Sequence, residues 1–150
     1  MKKIVGIIQE HMFSKADIKR FESGFREVYK KNYSDEQVTV IWMVMPDGYA
    51  YSERKRSNAV VMMMEVEETI TQENREKLLF AASKFLLDNF NISPLDSVIT
   101  APNSSYIKAF EAAQKNRIDA KYRPFVNLKI MGKVFWSKIT NGFLKLPVKV

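Results

Sequence analysis

The stretch that decides the fold runs from Asn58 to Ala101 and reads NAVVMMMEVEETITQENREKLLFAASKFLLDNFNISPLDSVITA. It opens with an apolar run, 59–66, which is too short to span a bilayer and predicts a buried strand. A helix is predicted next, because Thr71 can cap its first turn and Glu73 places negative charge at the positive end of the helix dipole. Apolar residues recur on one face of this helix at helical spacing; they are Leu78, Leu79, Ala82, Phe85, Leu86 and Phe90.

The helix is predicted to end at Ile92-Ser93-Pro94, since proline cannot continue the hydrogen-bond ladder and disfavours helix at the preceding residue. Residues 97–100 then return as a second strand. The connection between the two strands is too long for a hairpin and suits a helical crossover. The two strands are therefore expected to lie parallel.

An earlier copy of the same strand-helix-strand pattern precedes this stretch. Residues 3–8 are mostly β-branched and predict a strand. Ser14 with Asp17 resembles a capping box at the start of the following helix. Residues 38–45 form the next apolar run, which predicts the second strand of this copy.

Two such units predict an α+β fold in which a four-stranded sheet carries two helices on one face. The units occupy residues 1–102, and residues 103–150 form a C-terminal extension. The second sheet face, with residues such as Trp42 or Met63, also needs cover. We expect either the extension or other subunits to supply it.

Whole-chain composition narrows the class of protein. The 150 residues with 46% hydrophobic content suit one domain with a substantial core. The absence of cysteine excludes disulfides, thiolate metal sites and cysteine nucleophiles, and it fits a cytoplasmic location. His11 is the single histidine and has no partner at ligand spacing, so we expect no metal site. We find no targeting or transmembrane segment.

The formal charge of +7 is unevenly placed. Residues 1–102 contain 14 Lys/Arg and 15 Asp/Glu, whereas residues 103–150 contain ten and two. The basic character therefore belongs to the extension.

Short motifs inside the two repeats support a specific resemblance. Together with the repeated strand-helix-strand order, they resemble the tautomerase superfamily, with the macrophage migration inhibitory factor and cis-3-chloroacrylic acid dehalogenase branches nearest. The resemblance covers about residues 1–102. The motifs are Val38-Thr39-Val40-Ile41 with Met45-Pro46-Asp47, the helix start Thr71-Gln72-Glu73-Asn74-Arg75, and the turn Ile92-Ser93-Pro94.

The resemblance implies a homotrimer whose sheets line a central channel. It also implies a cofactor-independent isomerase, or a hydrolytic relative, acting on a small keto or carboxylic acid. Members of the superfamily use an amino-terminal proline, exposed when the initiator methionine is removed, while nearby cations bind the acidic substrate. Position 2 here is Lys2, which is bulky enough to prevent that removal. The candidate catalytic pair in place of the proline is the α-amine of Met1 with Lys2 beside it; the alternative is a solvated chain terminus without a catalytic role.

Other departures weaken the expectation of activity. The arginines of the dehalogenase branch fall here among Glu65, Glu67 and Glu68, which reverses the local charge. The pocket tyrosine of the cytokine branch falls near Ile99. We therefore predict little or no tautomerase turnover.

Candidate substrate-binding residues are the cations and aromatic residues near the repeats. Lys31, beside Lys30 at the end of the first helix, is a candidate ligand for a carboxylate, although lysines there also complement the helix dipole. Arg54 and Arg56 lie in the tyrosine-containing loop between the repeats, which is either an anion-binding loop or a solvated hairpin tip. Tyr106, in the extension, completes the predicted set.

The extension is predicted to begin with a helix capped by Ser104 or Ser105. Residues 125–130 alternate like a strand, and residues 132–146 mix lysines with large apolar residues in a short amphipathic surface element. We interpret the extension as a packing arm. The alternative function is a non-catalytic homotrimer that binds an anionic partner through this basic tail. We expect neither nucleic acid nor a membrane as the main partner, although the sequence leaves both open.

Overall fold

The computed structural model describes residues 1–48, 51–52, 55–56 and 59–146. A short 3-10 turn, Pro94–Asp96, precedes the sixth strand. The elements in chain order are β1 (Lys2–Gln9), α1 (Lys15–Asn32), β2 (Val38–Met45), β3 (Tyr51–Ser52), β4 (Lys55–Arg56), β5 (Val60–Met64), α2 (Gln72–Phe90), β6 (Ser97–Thr100), α3 (Ser104–Asn116), α4 (Arg123–Asn141) and β7 (Lys145–Leu146).

The main sheet has the strand order β6-β5-β1-β2-β7. Strands β1 and β2 pair in parallel, and so do β5 and β6, which confirms the parallel crossovers predicted from connection length. The two repeats meet where β1 pairs antiparallel with β5. The α+β prediction is confirmed, but the sheet has five strands rather than four. Strand β7 adds to the edge because the extension returns to pair with Trp42 and Met43 of β2.

Local capping sets the start of α1 and of α2. The Ser14 side chain accepts from the Asp17 N–H at 3.1 Å, and the Asp17 carboxylate accepts from the Ser14 N–H at 3.1 Å. At the start of α2, the Thr71 hydroxyl accepts from the Asn74 N–H at 3.3 Å. Both predicted helix starts are therefore present, because each cap satisfies amides that the first turn leaves unpaired.

The core lies between helices α1 and α2 and one face of the sheet. Trp42 belongs to this core, where its ring meets Phe21 edge-on at a centroid distance of 5.8 Å. Our assignment of Trp42 to the uncovered face was wrong, because in β2 it lies on the same side as the buried Val40. The core also contains Ile4, Ile8, Phe25, Tyr29, Val60, Met62, Met64, Leu78, Ala82 and Leu86.

Met63 does lie on the opposite face, since its neighbours Met62 and Met64 point into the core. Neither α1 nor α2 packs on this side. The open sheet face consists of half-buried apolar residues from three neighbouring strands: Val5, Ile7, Ile41, Met43, Val61 and Met63.

The extension folds differently from the prediction after its first helix. Helix α3 begins at Ser104 as expected. The predicted strand at 125–130 is wrong, because these residues form the first part of the 19-residue helix α4. Pro124 lies in the first turn, where proline is tolerated, and Gly142 ends the helix in the left-handed conformation at φ 83°. The predicted short element at 132–146 is the rest of α4 followed by β7.

Candidate functional site at the start of the first strand

The ammonium of Lys2 is held inside the protein. Its side chain is 8% exposed, donates a hydrogen bond to the Ser104 hydroxyl at 2.8 Å and forms an ion pair with Glu67. Burial alone lowers the pKa of Lys2, but the hydrogen bond and charge of Glu67, helped by Glu65 and Glu36, outweigh it and leave the pKa raised. Lys2 is thus a charged lysine that ties β1 to the start of α3.

The acidic residues that follow β5 also hold α3. Glu68 accepts hydrogen bonds from the Ser105 N–H at 2.8 Å and from the Asn103 side chain at 2.9 Å. The hydrogen bonds from Ser105 lower the pKa of Glu68. The carboxylates of Glu67 and Glu68 therefore make structural contacts in this region.

Met1 lies one residue outside this buried cluster and is 82% exposed. The Lys2 N–H donates to the Gln37 carbonyl at 3.2 Å, and the Thr39 hydroxyl donates to the Met1 sulfur at 3.1 Å, so both contacts hold Met1 against β2. Met1 borders an open cavity of about 320 Å³ between α1 and β2. The cavity is lined by Met1, Arg26, Lys30, Glu36, Gln37, Val38 and Thr39.

The two cations in the cavity lining favour binding of a small anion, but nearby carboxylates already neutralise part of their charge. Arg26 and Lys30 lie one helical turn apart on α1, and Glu36 is the single carboxylate in the lining. Both cations already have acidic partners outside the lining. The Arg26 guanidinium is 3.2 Å from Glu22, and the Lys30 ammonium is 3.3 Å from Asp35. Because Lys30 and Asp35 are both well exposed, that pair is weak and a ligand can compete for the lysine.

The structure brings together only some of the predicted site residues. Met1 and Lys2 are adjacent, but Lys31 points into a separate groove of about 420 Å³ between α1 and α2, with Lys84 and Asp88. Tyr106 is 67% exposed on α3 and does not line the Met1 cavity. The two arginine candidates of the inter-repeat loop cannot be compared with the cavity. Arg54 falls outside the described residues, and only the backbone of Arg56, in β4, is described.

Arg26 is the cavity residue that the sequence reasoning missed. Its i, i+4 relation to Lys30 places both cations on one face of α1, on the side that borders β2. That spacing was readable from the sequence. What was not readable is the register Lys2 to Val38, which brings the chain start beside this face.

Neither a metal site nor a membrane-spanning helix is found in the part of the chain that the structure describes. No group of three His, Asp or Glu side chains there is arranged to hold a metal ion. No helix there combines the length and the hydropathy needed to cross a bilayer. His11 occupies the turn after β1 with a positive φ of 65°.

Comparison with known proteins places the fold. No family model and no curated protein matches the chain by sequence. Among solved structures, Pt0534 inactivated by 2-oxo-3-pentynoate is 15% identical, with a TM-score of 0.62 over 67% of this chain and 84% of that chain. N1, a member of the cis-3-chloroacrylic acid dehalogenase family, is 10% identical, with a TM-score of 0.62 over 67% of this chain and 73% of that one.

A symmetric trimer of fused 4-OT is 9% identical, with a TM-score of 0.60 over 67% of this chain and 84% of that chain. The sequence identity to these three structures is only 9–15%, so the similarity lies in the fold. The chain therefore has the fold of the tautomerase superfamily.

Proposed function

We propose that this protein is a cofactor-independent isomerase of the tautomerase type that acts weakly on a small 2-oxo or carboxylic acid. The observation that carries the proposal is the position of Met1 at the start of β1, beside a cavity bordered by Arg26 and Lys30. A chain end next to two cations provides an amine and an anion-binding surface in one place.

The proposed reaction needs only proton transfer. The neutral amine of Met1 removes a proton from the carbon next to the keto group, which gives an enol, and the proton returns at another carbon. Arg26 and Lys30 hold the substrate carboxylate. Lys2 is not the base in this scheme, because its raised pKa and its ion pair with Glu67 keep it protonated.

We expect this activity to be low. Met1 is largely exposed to solvent, and water-exposed sites gain less from electrostatic stabilisation than enclosed ones. Glu22 and Asp35 already neutralise part of the cationic charge. Turnover of phenylpyruvate or 2-hydroxymuconate at a rate typical of proline-bearing members would contradict the proposed exposed amine site.

Covalent labelling tests the site directly. Pt0534 has been captured after inactivation by 2-oxo-3-pentynoate, an acetylenic 2-oxo acid. Addition of the Met1 amine across the triple bond would raise the chain mass by one reagent molecule, because no group leaves. We expect peptide mapping to place the label on Met1 and phenylpyruvate to slow the labelling.

Two double variants distinguish labelling that depends on the cavity cations from labelling of an amine that is reactive without them. Arg26→Ala with Lys30→Ala should slow the labelling by about tenfold, as expected when two charge-assisted contacts to the carboxylate are lost. Lys31→Ala with Lys84→Ala removes two cations from the neighbouring groove and should leave the rate unchanged. Equal rates in both double variants, or labelling elsewhere, would refute the proposed site.

A second, non-catalytic candidate function is the binding of an anionic partner through the basic extension. Residues 1–119 contain 17 Lys/Arg and 17 Asp/Glu, so the whole net charge of +7 lies in residues 120–150. Such a concentrated positive charge attracts anions over distances up to about the Debye length, which shortens as the salt concentration rises. We retain the cytoplasm as the proposed location, since the chain has no cysteine.

A further inference from the structure

Helix α4 has two apolar faces that point in different directions. One face lies toward the protein, where Val126 and Val134 are half-buried and Ser137 is buried. The Ser137 hydroxyl accepts from the Lys145 N–H at 2.8 Å and donates to the Val134 carbonyl at 2.7 Å, which fixes the end of α4 to β7. The helix is therefore anchored through this side.

The other face of α4 exposes large apolar side chains to solvent. These residues recur at helical spacing over about 21 Å of helix and together expose on the order of 700 Å². A typical monomer exposes a largest apolar patch of only about 300–600 Å². We call this face the outer stripe; it consists of Phe125, Leu128, Met131, Phe135, Trp136 and Ile139, each between 63% and 72% exposed.

Cations flank the outer stripe on both sides. At about 100° per residue, Lys129 and Lys133 fall beside one edge of the stripe and Lys138 beside the other. Residues 120–150 contain seven Lys/Arg and no Asp/Glu. Within the part of the chain that the structure describes, no carboxylate pairs with any of these three lysines.

From this arrangement we infer that α4 is a peripheral membrane-binding helix, which lays its outer stripe into the interface of an anionic lipid bilayer. The inference rests on the second candidate function and names its partner. Helices that lie in a bilayer interface combine aromatic and aliphatic residues on one face with lysines at its borders. The stripe enters the acyl boundary while the flanking lysines reach the anionic headgroups.

The combination of an apolar stripe and flanking cations favours a lipid bilayer over a nucleic acid or a second copy of the chain. A nucleic acid would pair with the lysines but leave the apolar stripe between them uncovered. Packing of α4 against α4 of a second copy would bring two segments of charge +7 together without a carboxylate from either segment. An anionic bilayer can bury the apolar stripe among its acyl chains and pair the lysines with its headgroups.

The test uses the full chain with vesicles of mixed phosphatidylglycerol and phosphatidylcholine, and with phosphatidylcholine alone. We expect sedimentation only with the anionic vesicles, with less binding as salt is raised. Trp136 is 65% exposed whereas Trp42 is 1% exposed, so binding should shift the emission of Trp136 to shorter wavelength. Trp136→Phe should lose this shift and keep most of the binding.

One double variant and one single control variant assign the contacts. Leu128→Asn with Phe135→Asn should weaken vesicle binding by at least about tenfold and leave heparin binding unchanged, because only lipid contacts the stripe. Phe80→Asn on α2 is the control, since Phe80 is 73% exposed outside the stripe and its loss should change nothing. Unchanged vesicle binding in the stripe variant would overturn the membrane inference.

A lysine-to-glutamine variant tests the second candidate function, and the mass of the protein in solution tests self-association. Lys129→Gln with Lys133→Gln and Lys138→Gln should weaken both vesicle and heparin binding; if it weakens neither, the second candidate function itself fails. Light scattering shows whether a second copy covers the stripe. A mass that falls in the stripe variant but not in Phe80→Asn would overturn the membrane inference in favour of self-association.

Discussion

At the scale of single residues, Lys2 shows how a buried charge is stabilised by partners distant in sequence. Its ammonium reaches Glu67 from the second repeat and Ser104 from the extension. Nearby, the Tyr29 hydroxyl donates to the Glu65 carbonyl at 2.7 Å, and the Tyr33 hydroxyl accepts from the Glu67 N–H at 2.6 Å. This network joins both repeats and the extension where β1 begins.

The raised pKa of Lys2 predicts a pH dependence of stability. A base whose pKa is higher in the folded state contributes stability that is fully present below its unfolded pKa of about 10.4 and is lost as pH rises through the folded pKa. Urea unfolding of wild type and Lys2→Met should therefore show a larger stability difference at about pH 8 than at about pH 11. A difference that grows with pH would contradict the raised pKa.

At the scale of elements, the contact between α1 and α2 depends on Gly24. A Cβ built on this residue would lie 2.0 Å from the Phe85 ring. That ring cannot move freely, because it meets Phe25 edge-on at 5.3 Å and Phe90 at 5.7 Å. The glycine therefore sets how closely the two helices approach.

The substitution Gly24→Ala compares two opposing effects: the higher helix propensity of alanine and the steric clash of its Cβ with the Phe85 ring. Alanine favours helix by about 1 kcal/mol over glycine, but overpacking a core contact costs about 1–3 kcal/mol. We expect a net decrease in the free energy of unfolding, measured by urea denaturation. Gly132→Ala in α4 is the control, since nothing beyond its chain neighbours and the adjacent helix backbone lies within 4 Å of the added Cβ, and it should be neutral or stabilising.

At the scale of the whole molecule, the open sheet face predicts self-association. A four-stranded repeat covers one side of its sheet with two helices, and β7 extends the edge without covering the second side. Burial of this face against other copies would remove its half-buried apolar residues from water. Fused 4-OT structures with the same fold are trimers.

We predict a homotrimer, with a mass in light scattering of about three times the 17.4 kDa chain. Met63→Lys places a charge on the open sheet face and should shift the protein toward monomer, because an unpaired buried charge is costly. Phe80→Lys, an exposed position on α2, should leave the mass unchanged. A monodisperse wild-type monomer would contradict the prediction.

The sequence by itself determined the two repeats, because their signals are local. Short, nearly continuous apolar runs specify β2 and β5, and the caps at Ser14 and Thr71 specify where α1 and α2 begin. The length of each crossover then determined that the paired strands are parallel. The runs and caps depend on neighbours within a few residues, and the crossover length is counted along the chain, so all three are readable without the fold.

Only the tertiary structure decided the extension, the side on which Trp42 lies and the composition of the Met1 cavity. Alternation over 125–130 fits a strand, but it equally fits a helix with apolar residues on two sides, and α4 is such a helix. The face that buries Trp42, the burial of Lys2 against Glu67 and the meeting of Met1 with Arg26 all depend on strand register and helix docking. Those contacts join residues far apart in the chain, and local periodicity carries no information about them.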